Sequence, residues 1–378
     1  MIYLLVDRWR VWLDAHRLGF LRVFTFATFQ VTAAILVSFL ICILLGPRVI
    51  AKLRKQKIGD QPHFDQAEMD QLMAGKKGVP TMGGILIILS IVCATLLLAN
   101  LRNFYVQMAL LCLIWLGAVG AADDWLKLTA ARRSGSRQGL TSLEKLLFQI
   151  GLGVVLAYFT FGYDQNTTHM LYFPFAKNLS VPLNRGWFML LATLVMTGSS
   201  NAVNLTDGLD GLAAGCMAIV SFTFCILGLI VGTRVWATEL LIPYVQATDQ
   251  MAVLAGCMVG ASLGFLWFNC NPASVFMGDT GSLALGGLIG YIAIVIRQEL
   301  VLFLVGGVFV IEALSVILQV GYFKYSRRKY GEGRRIFLMS PLHHHFQRKG
   351  WTETQVVVRF WLIGAMLAAM ALATVKLR

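Results

Sequence analysis

Ten apolar runs, each near the ~20 residues that a helix needs to cross a bilayer core, dominate this 378-residue chain. They fall at about residues 23–46, 81–99, 104–122, 143–161, 187–203, 211–232, 250–268, 281–296, 300–322 and 356–375. Inside lipid the backbone has no water to bind, so such runs must close their own hydrogen bonds as helices. The chain is 57% hydrophobic and 13% charged, a balance that excludes an ordinary soluble domain and predicts an all-α polytopic membrane protein. Residues 3–20 mix Leu4, Trp9, Trp12 and Leu13 with Arg8, Arg10 and Arg17, the composition of a segment lying in the membrane interface. The expected organisation is one integral membrane domain over 1–378, with 1–22 as the interfacial N-terminal segment. No stretch reads as a cleaved signal peptide.

Lys and Arg predict the orientation. Segments 47–79, 123–145 and 323–350 carry seven, five and eight of them, and the intervening loops carry only Arg102, Lys177 with Arg185, Arg234 and Arg297. The positive-inside rule makes the three basic segments cytoplasmic and both termini external, with Arg8, Arg10, Arg17 and Arg22 opposing the rule. The formal net charge of +13 therefore reads as membrane orientation and attraction for anionic substrates, with no nucleic acid among the partners. Cys42, Cys93, Cys112, Cys216, Cys225, Cys257 and Cys270 sit in or beside apolar runs without a CxxC. They read as small core residues, with neither a disulfide framework nor a zinc site. The external loop 163–186, with Tyr172-Phe-Pro-Phe and Val181-Pro182, is expected to form a small β-hairpin.

With that topology every unusual polar cluster falls on the cytoplasmic face. The densest is Asn201-Ala-Val-Asn-Leu-Thr-Asp-Gly-Leu-Asp-Gly211. A lone Asp-Gly turn is a plain hairpin, but a plain hairpin needs neither two Asn inside the end of a span nor a second Asp. Asn201, Asn204, Asp207 and Asp210 recur every three residues and could share one side of a helix end. Lys76-Lys77-Gly-Val-Pro-Thr81 precedes the second span, where Pro80 suits a first helical turn. Two cations beside free helix amides suit an anion there, although ordinary flanking charge explains them equally well. Asp123-Asp124, followed by Lys127, closes the third span. Adjacent carboxylates facing a helix C-terminus ask for a compensating cation, a divalent metal or simply Lys127. Thr141-x-x-Glu144 reads as a capping box with no catalytic role.

Between the seventh and eighth spans run Asn269-Cys-Asn-Pro272 and Phe276-Met-Gly-Asp279-Thr-Gly-Ser282. Asp279 suits a helix N-cap. It also suits Mg²⁺, which takes one or two carboxylates together with phosphate oxygens and water, and Phe276 then offers a ring platform beside it. The last basic segment holds His343-His344-His345-Phe-Gln-Arg-Lys-Gly-Trp351. Successive side chains cannot all face one point, so one or two of these imidazoles can contact a ligand. Phosphate contact or proton transfer suits them better than zinc. Glu312, inside an apolar span, requires a polar partner.

Taken together, Asp123-Asp124, NAVNLTDGLDG, FMGDTGS and PLHHHFQRKGW resemble the polyprenyl-phosphate sugar-1-phosphate transferases, from about residue 46 to the C-terminus. The triple-His segment, Glu312-Ala-Leu-Ser-Val-Ile-Leu-Gln319 and Lys76-Lys77-Gly-x-Pro-Thr-Met-Gly-Gly resemble the branch whose donor is UDP-MurNAc-pentapeptide. Ala121-Ala122, where bulkier residues are common, and segment 59–75 depart from the pattern. The resemblance implies a ten-helix, homodimeric enzyme of the bacterial inner membrane. It implies transfer of phospho-MurNAc-pentapeptide to undecaprenyl phosphate, a membrane lipid, with Mg²⁺ as cofactor and lipid I and UMP as products. It assigns the metal to Asp279, and catalytic roles to Asp123, Asp124, Asp279, His343 and His344. Substrate contacts fall to Lys76, Lys77, Thr81, Lys127, Asn201, Asn204, Leu205, Asp207, Asp210, Asn269, Phe276 and His345, with Phe276 stacking on uracil. A sister transferase using UDP-GlcNAc, or a transporter of anionic lipid or nucleotide-sugar, also needs such basic and acidic clusters.

Overall fold

A computed structural model describes residues 1–55, 78–130, 139–163, 169–176 and 179–375; Lys76 and Lys77 lie outside the described residues. The N-terminal segment forms α1 (Ile2–Arg8), α2 (Arg10–Ala15) and a 3₁₀ turn, Gly19–Thr25. Nine helices among the described residues are long and apolar enough to cross a membrane. They are α3 (Ala27–Lys55), α5 (Phe104–Ala130), α6 (Ser142–Tyr163), α7 (Arg185–Thr206), α8 (Leu212–Gly232), α10 (Asp249–Asn269), α11 (Gly278–Val295), α13 (Gly307–Tyr330) and α15 (Glu353–Thr374). Shorter helices are α4 (Gly84–Leu98), α9 (Arg234–Glu239), α12 (Glu299–Val305) and α14 (Leu342–Arg348). This is an all-α, multi-pass membrane protein.

The expected hairpin is present: β1 (Met170–Tyr172) pairs antiparallel with β2 (Ser180–Pro182), Met170 opposite Pro182. Four other expectations need correction. The second run does not begin in helix at Pro80. Residues 80–84 are drawn instead onto the segment before α11, where Phe276 N–H donates to Pro80 O, Gly83 N–H to Phe276 O and Gly84 N–H to Met277 O. α4 is consequently only 15 residues long, about 22 Å at the α-helical rise. The ninth run is two helices, α12 and α13, because Gly306 at φ −82, ψ 17 leaves the helix; adjacent glycines make that break cheap. α5 continues to Ala130, so Asp123 and Asp124 lie two turns inside it and do not face its C-terminal dipole. Asp279 is in the first turn of α11, while Met277 takes the N-cap position.

α11 lies at the centre. Sixteen of its eighteen residues, Thr280–Val295, are buried, and α10 is nearly as enclosed. Small residues allow that approach: Ser199 Oγ on α7 donates to Gly286 O of α11 at 2.7 Å, and Ser200 Oγ donates to Leu283 O at 3.0 Å. Such backbone-close contacts replace the hydrophobic drive that lipid cannot supply between helices. α3 is peripheral and keeps Leu36, Leu40 and Leu44 exposed at i, i+4 spacing, the apolar stripe that a lipid-facing helix requires. Six of the seven cysteines are buried or half-buried, as expected of core residues, and Cys270 alone is exposed.

Candidate active site

The acidic cluster forms where the penultimate turns of α5 meet the first turns of α6 and α11 and the last turn of α7. The carboxylates of Asp123, Asp124 and Asp279 each offer an oxygen, and these oxygens all lie within 4.8 Å of one another. Asp123 and Asp124 are buried and Asp279 half-buried. Asp124 is tied to the first turn of α11: its Oδ1 accepts from Asp279 N–H (3.2 Å), and its Oδ2 from Thr280 N–H (3.0 Å) and Thr280 Oγ1 (2.6 Å). It therefore acts as a side-chain cap for that helix, satisfying donors that have no partner within it. Asp123 Oδ1 accepts from Leu140 N–H at 2.7 Å. Asp279 Oδ1 accepts from Asn204 Nδ2 at 2.9 Å.

Two ammonium groups sit between the remaining oxygens. Lys127 Nζ is 2.7 Å from Asp123 Oδ2 and 3.3 Å from Asp279 Oδ2. Lys145 Nζ is 2.7 Å and 2.6 Å from the same two atoms. Nothing in the sequence singles out Lys145, because a lysine in the first turn of a span looks like ordinary positive-inside flanking. Its neighbour behaves as expected: Glu144 Oε2 accepts from Thr141 N–H, and Thr141 Oγ1 accepts from Glu144 N–H. That reciprocal box starts α6 and aims Lys145 at the cluster. Three carboxylates against two lysines leave one formal negative charge. The donor set is all hard oxygen, which suits a Mg²⁺-class ion.

Gly278 has a positive φ of 71, and a Cβ there would lie 2.6 Å from Asp124 Oδ2 and 2.9 Å from Thr81 Oγ1. Only glycine lets the chain turn into α11 this close to a carboxylate. Val275 and Met277 are buried while Phe276 between them is half-buried. In the extended segment paired to Pro80–Gly84, that alternation turns the Phe276 ring away from the core.

The four polar residues of the Asn201–Gly211 string do not share one side. Asn201 Nδ2 donates to Gln149 Oε1 of α6 and to Thr197 O, away from the acidic cluster. Three residues advance a helix by only 300°, so Asn201 and Asn204 diverge by about 60°, and α7 ends at Thr206 before Asp207 and Asp210. Leu205 is half-buried in the last turn. Asp207 caps α7, and shielding from water, followed by Asp279 and Asp124, pushes its carboxyl up to about 7. Asp210 Oδ2 accepts from Asn271 Nδ2 and Ala273 N–H, and Asp210 N–H donates to Glu353 Oε1. Asn269 bridges Gly211 N–H and Val275 O. Asp210 and Asn269 thus lock neighbouring loops together.

The three imidazoles do not share one target, although the rings of His343 and His344 meet edge-on with centroids 4.2 Å apart. His343 is buried, with Nδ1 3.3 Å from Glu312 Oε2, the polar partner that Glu312 required. His344 Nδ1 lies 2.8 Å from Gln347 Oε1. His345 Nδ1 accepts from Leu338 N–H, and partial burial, then Lys349, hold its pKa below the ordinary value.

Known proteins resemble the chain along nearly its whole length. The family described as Glycosyl transferase family 4 matches residues 106–297, which contain all three clustered aspartates. A phospho-N-acetylmuramoyl-pentapeptide-transferase of Desulfotalea psychrophila is 47% identical over 360 residues, covering 94% of this chain and 95% of that protein. The protein of the same name from Desulforapulum autotrophicum is 45% identical over 361 residues, covering 96% and 97%. Identity at that level leaves no room for a different fold around the acidic cluster, and the chain belongs to the phospho-N-acetylmuramoyl-pentapeptide-transferase family.

Proposed function

We propose that this chain transfers phospho-MurNAc-pentapeptide from UDP-MurNAc-pentapeptide to undecaprenyl phosphate, giving lipid I and UMP. The convergence of Asp123, Asp124, Asp279, Lys127 and Lys145 at one end of the membrane helices carries the reading, together with relatives of that name. An oxygen of the lipid phosphate attacks the sugar-bearing phosphorus of the donor, and the bond from that phosphorus to the bridging oxygen breaks. UMP departs with the bridging oxygen. Both reactants are anions, so the site must screen them from each other.

Asp279 serves as the principal Mg²⁺ ligand, with Asp123 and Asp124 beside it. Mg²⁺ bound there supplies positive charge to the phosphates. Lys127 and Lys145 swing from the carboxylates to the phosphate oxygens. Asp123 or Asp124 orients the lipid phosphate and takes any proton it still carries; with a second pKa near ~6, most of it is already dianionic at neutral pH. Phe276, turned out from the core, stacks on uracil, with Asn204, Leu205 and Thr81 around it. Lys76 and Lys77 belong to the same donor site. In this reading the enzyme acts in the bacterial inner membrane as a homodimer, with the site cytoplasmic and both termini outside; the lysines and arginines of segments 47–79, 123–145 and 323–350 support the orientation.

The deciding experiment is UMP release from UDP-MurNAc-pentapeptide, with and without undecaprenyl phosphate and Mg²⁺. UMP should appear only when all three are present. Movement of the donor across vesicles without UMP, or a preference for UDP-GlcNAc, overturns the reading. Labelling of a cysteine at position 332 from outside intact cells overturns the orientation, and a monomeric mass in mild detergent overturns the dimer.

A further inference from the structure

α13 carries three buried polar residues at heptad spacing, Glu312, Gln319 and Ser326. A heptad drifts only ~20° on a straight α-helix, so all three lie along one stripe. Each holds a successive part of the chain returning from α13 towards α14. Ser326 Oγ accepts from Arg334 N–H (2.8 Å), and Gln319 Oε1 accepts from Ile336 and Phe337 N–H (3.0 Å each). Glu312 holds the backbone of His343 and lies beside its ring: Oε1 accepts from His343 N–H at 3.1 Å, while Oε2 approaches Nδ1 to 3.3 Å without completing a hydrogen bond. The other two rungs grip backbone; only Glu312 also borders an imidazole.

The far side of that ring meets the Asn201–Gly211 string. A Cβ at Gly208 would collide with His343 Nε2. Among the described residues neither ring nitrogen completes a hydrogen bond, although His343 is only 1% exposed, and the carboxylate oxygen 3.3 Å from Nδ1 is equally unpaired. The other titratable groups around the ring are His344, whose ring centroid is 4.2 Å away, Asp207 beside Gly208, and Glu353, which accepts from Asp210 N–H in the same turn.

We propose that Glu312 is a positioning residue: it fixes the proton of His343 on Nδ1 and presents Nε2, edge-on through the gap at Gly208, to the donor side of the site. A carboxylate that touches one ring nitrogen sets the tautomer, and hence what the other nitrogen can accept or donate. The absence of a side chain at residue 208 lets the backbone of the turn pack directly against that second nitrogen. The assignment of a donor side rests on the transferase reading; the tautomer does not.

The test uses full-length protein in detergent, with ¹⁵N-ring-labelled histidine and His343→Gln to identify the resonance. In the native protein Nδ1 of His343 should be protonated. Glu312→Gln keeps the shape, and its amide oxygen can still accept from His343 N–H. Its NH₂ group then faces Nδ1 and should move the ring proton to Nε2. Turnover should fall at least ten-fold with KM for the donor within two-fold and an unchanged melting temperature. The double variant Glu312→Gln, His343→Gln should be no slower than His343→Gln alone. Gly208→Ala, which crowds Nε2 and presses Nδ1 towards Glu312, should slow turnover with the proton still on Nδ1. Ser326→Ala, which releases only backbone, should leave the tautomer and turnover as they are. An unchanged tautomer in Glu312→Gln, or additive losses in the double variant, overturns the proposal. The NMR arm reads out even if the chain releases no UMP, so a failure of the positioning role is distinguishable from a failure of the transferase reading.

Discussion

Lys145→Met should tighten divalent-cation binding while slowing turnover. Lys145 Nζ contacts Asp123 and Asp279 at 2.7 Å and 2.6 Å, and its side chain is 19% exposed. Its loss raises the formal charge of the cluster from one negative to two. Removing a unit charge about 5 Å from a doubly charged ion favours that ion by about 1.7 kcal/mol even at the dielectric of water, and by more where solvent is excluded. Lys127 can recentre between the same two oxygens and take back part of this. The expected gain in Mg²⁺ affinity is therefore on the order of ten-fold, about 1.4 kcal/mol. Turnover moves the other way, because a charged hydrogen bond to phosphate is worth about 1.5–3 kcal/mol. That corresponds to roughly 10–150-fold in kcat/KM. Lys127→Met should do less on both counts, since that lysine is 46% exposed and 3.3 Å from Asp279. Calorimetric Mg²⁺ titration and UMP release at saturating Mg²⁺ measure the two effects. If Lys145→Met binds the cation no more tightly, the lysine does not oppose the metal, and the charge account of the cluster is wrong.

Other outcomes follow from the same geometry. Asp279→Asn should fold, because Asp124 rather than Asp279 caps α11, yet raise the Mg²⁺ requirement steeply; Asp123→Asn should abolish turnover while nucleotide binding, followed by fluorescence competition, survives. Phe276→Ala should weaken UDP-substrate binding by about 1–3 kcal/mol, as loss of aromatic–base stacking does elsewhere, and Phe276→Trp should retain most of it; unchanged affinity returns Phe276 to a packing role. His345 has a lowered pKa and accepts from Leu338 N–H through Nδ1. The opened loop therefore takes a proton that the closed loop refuses, and the Leu338 bond is full above the ordinary imidazole pKa of ~6.5 and weakens as pH falls below it. Amide exchange at Leu338, corrected for its intrinsic pH dependence, should accelerate there; a flat profile refutes the assignment.

The spans and the three clustered aspartates were legible in the sequence for one reason. Lipid forbids both unpaired backbone and casual charge, so apolar length marks helices and every acid at a span end stands out. Lys145 was illegible for the converse reason, since lysine is expected at that end of a span whatever its task. The place of Asn201 was illegible because three-residue spacing suggests a shared face, whereas each step turns by about 60° and leaves Asn201 towards Gln149. The start of α4 at Gly84 depends on what a distant segment offers, since Phe276 and Met277 draw residues 80–84 out of helix. Which histidine meets Glu312 could not be read from a separation of 31 residues.

The contact between α7 and α11 also bears on how the chain is made. These are the two least apolar of the nine long helices, because each carries polar groups whose partners lie on the other. Ser199 and Ser200 on α7 donate to Gly286 and Leu283, and Asn204 donates to Ser282 and Asp279. Yet 71 residues, 207–277, separate the end of α7 from the start of α11. At ~5–20 residues per second of synthesis, α7 emerges roughly 5–20 s before its whole partner. During that interval Ser199 can bind Met196 O of its own helix and Ser200 can bind Gln149 of α6, but Asn204 waits for both Ser282 and Asp279. α7 therefore depends on shelter for that amide beside the insertion machinery, and the bundle closes around its site only when α11 arrives.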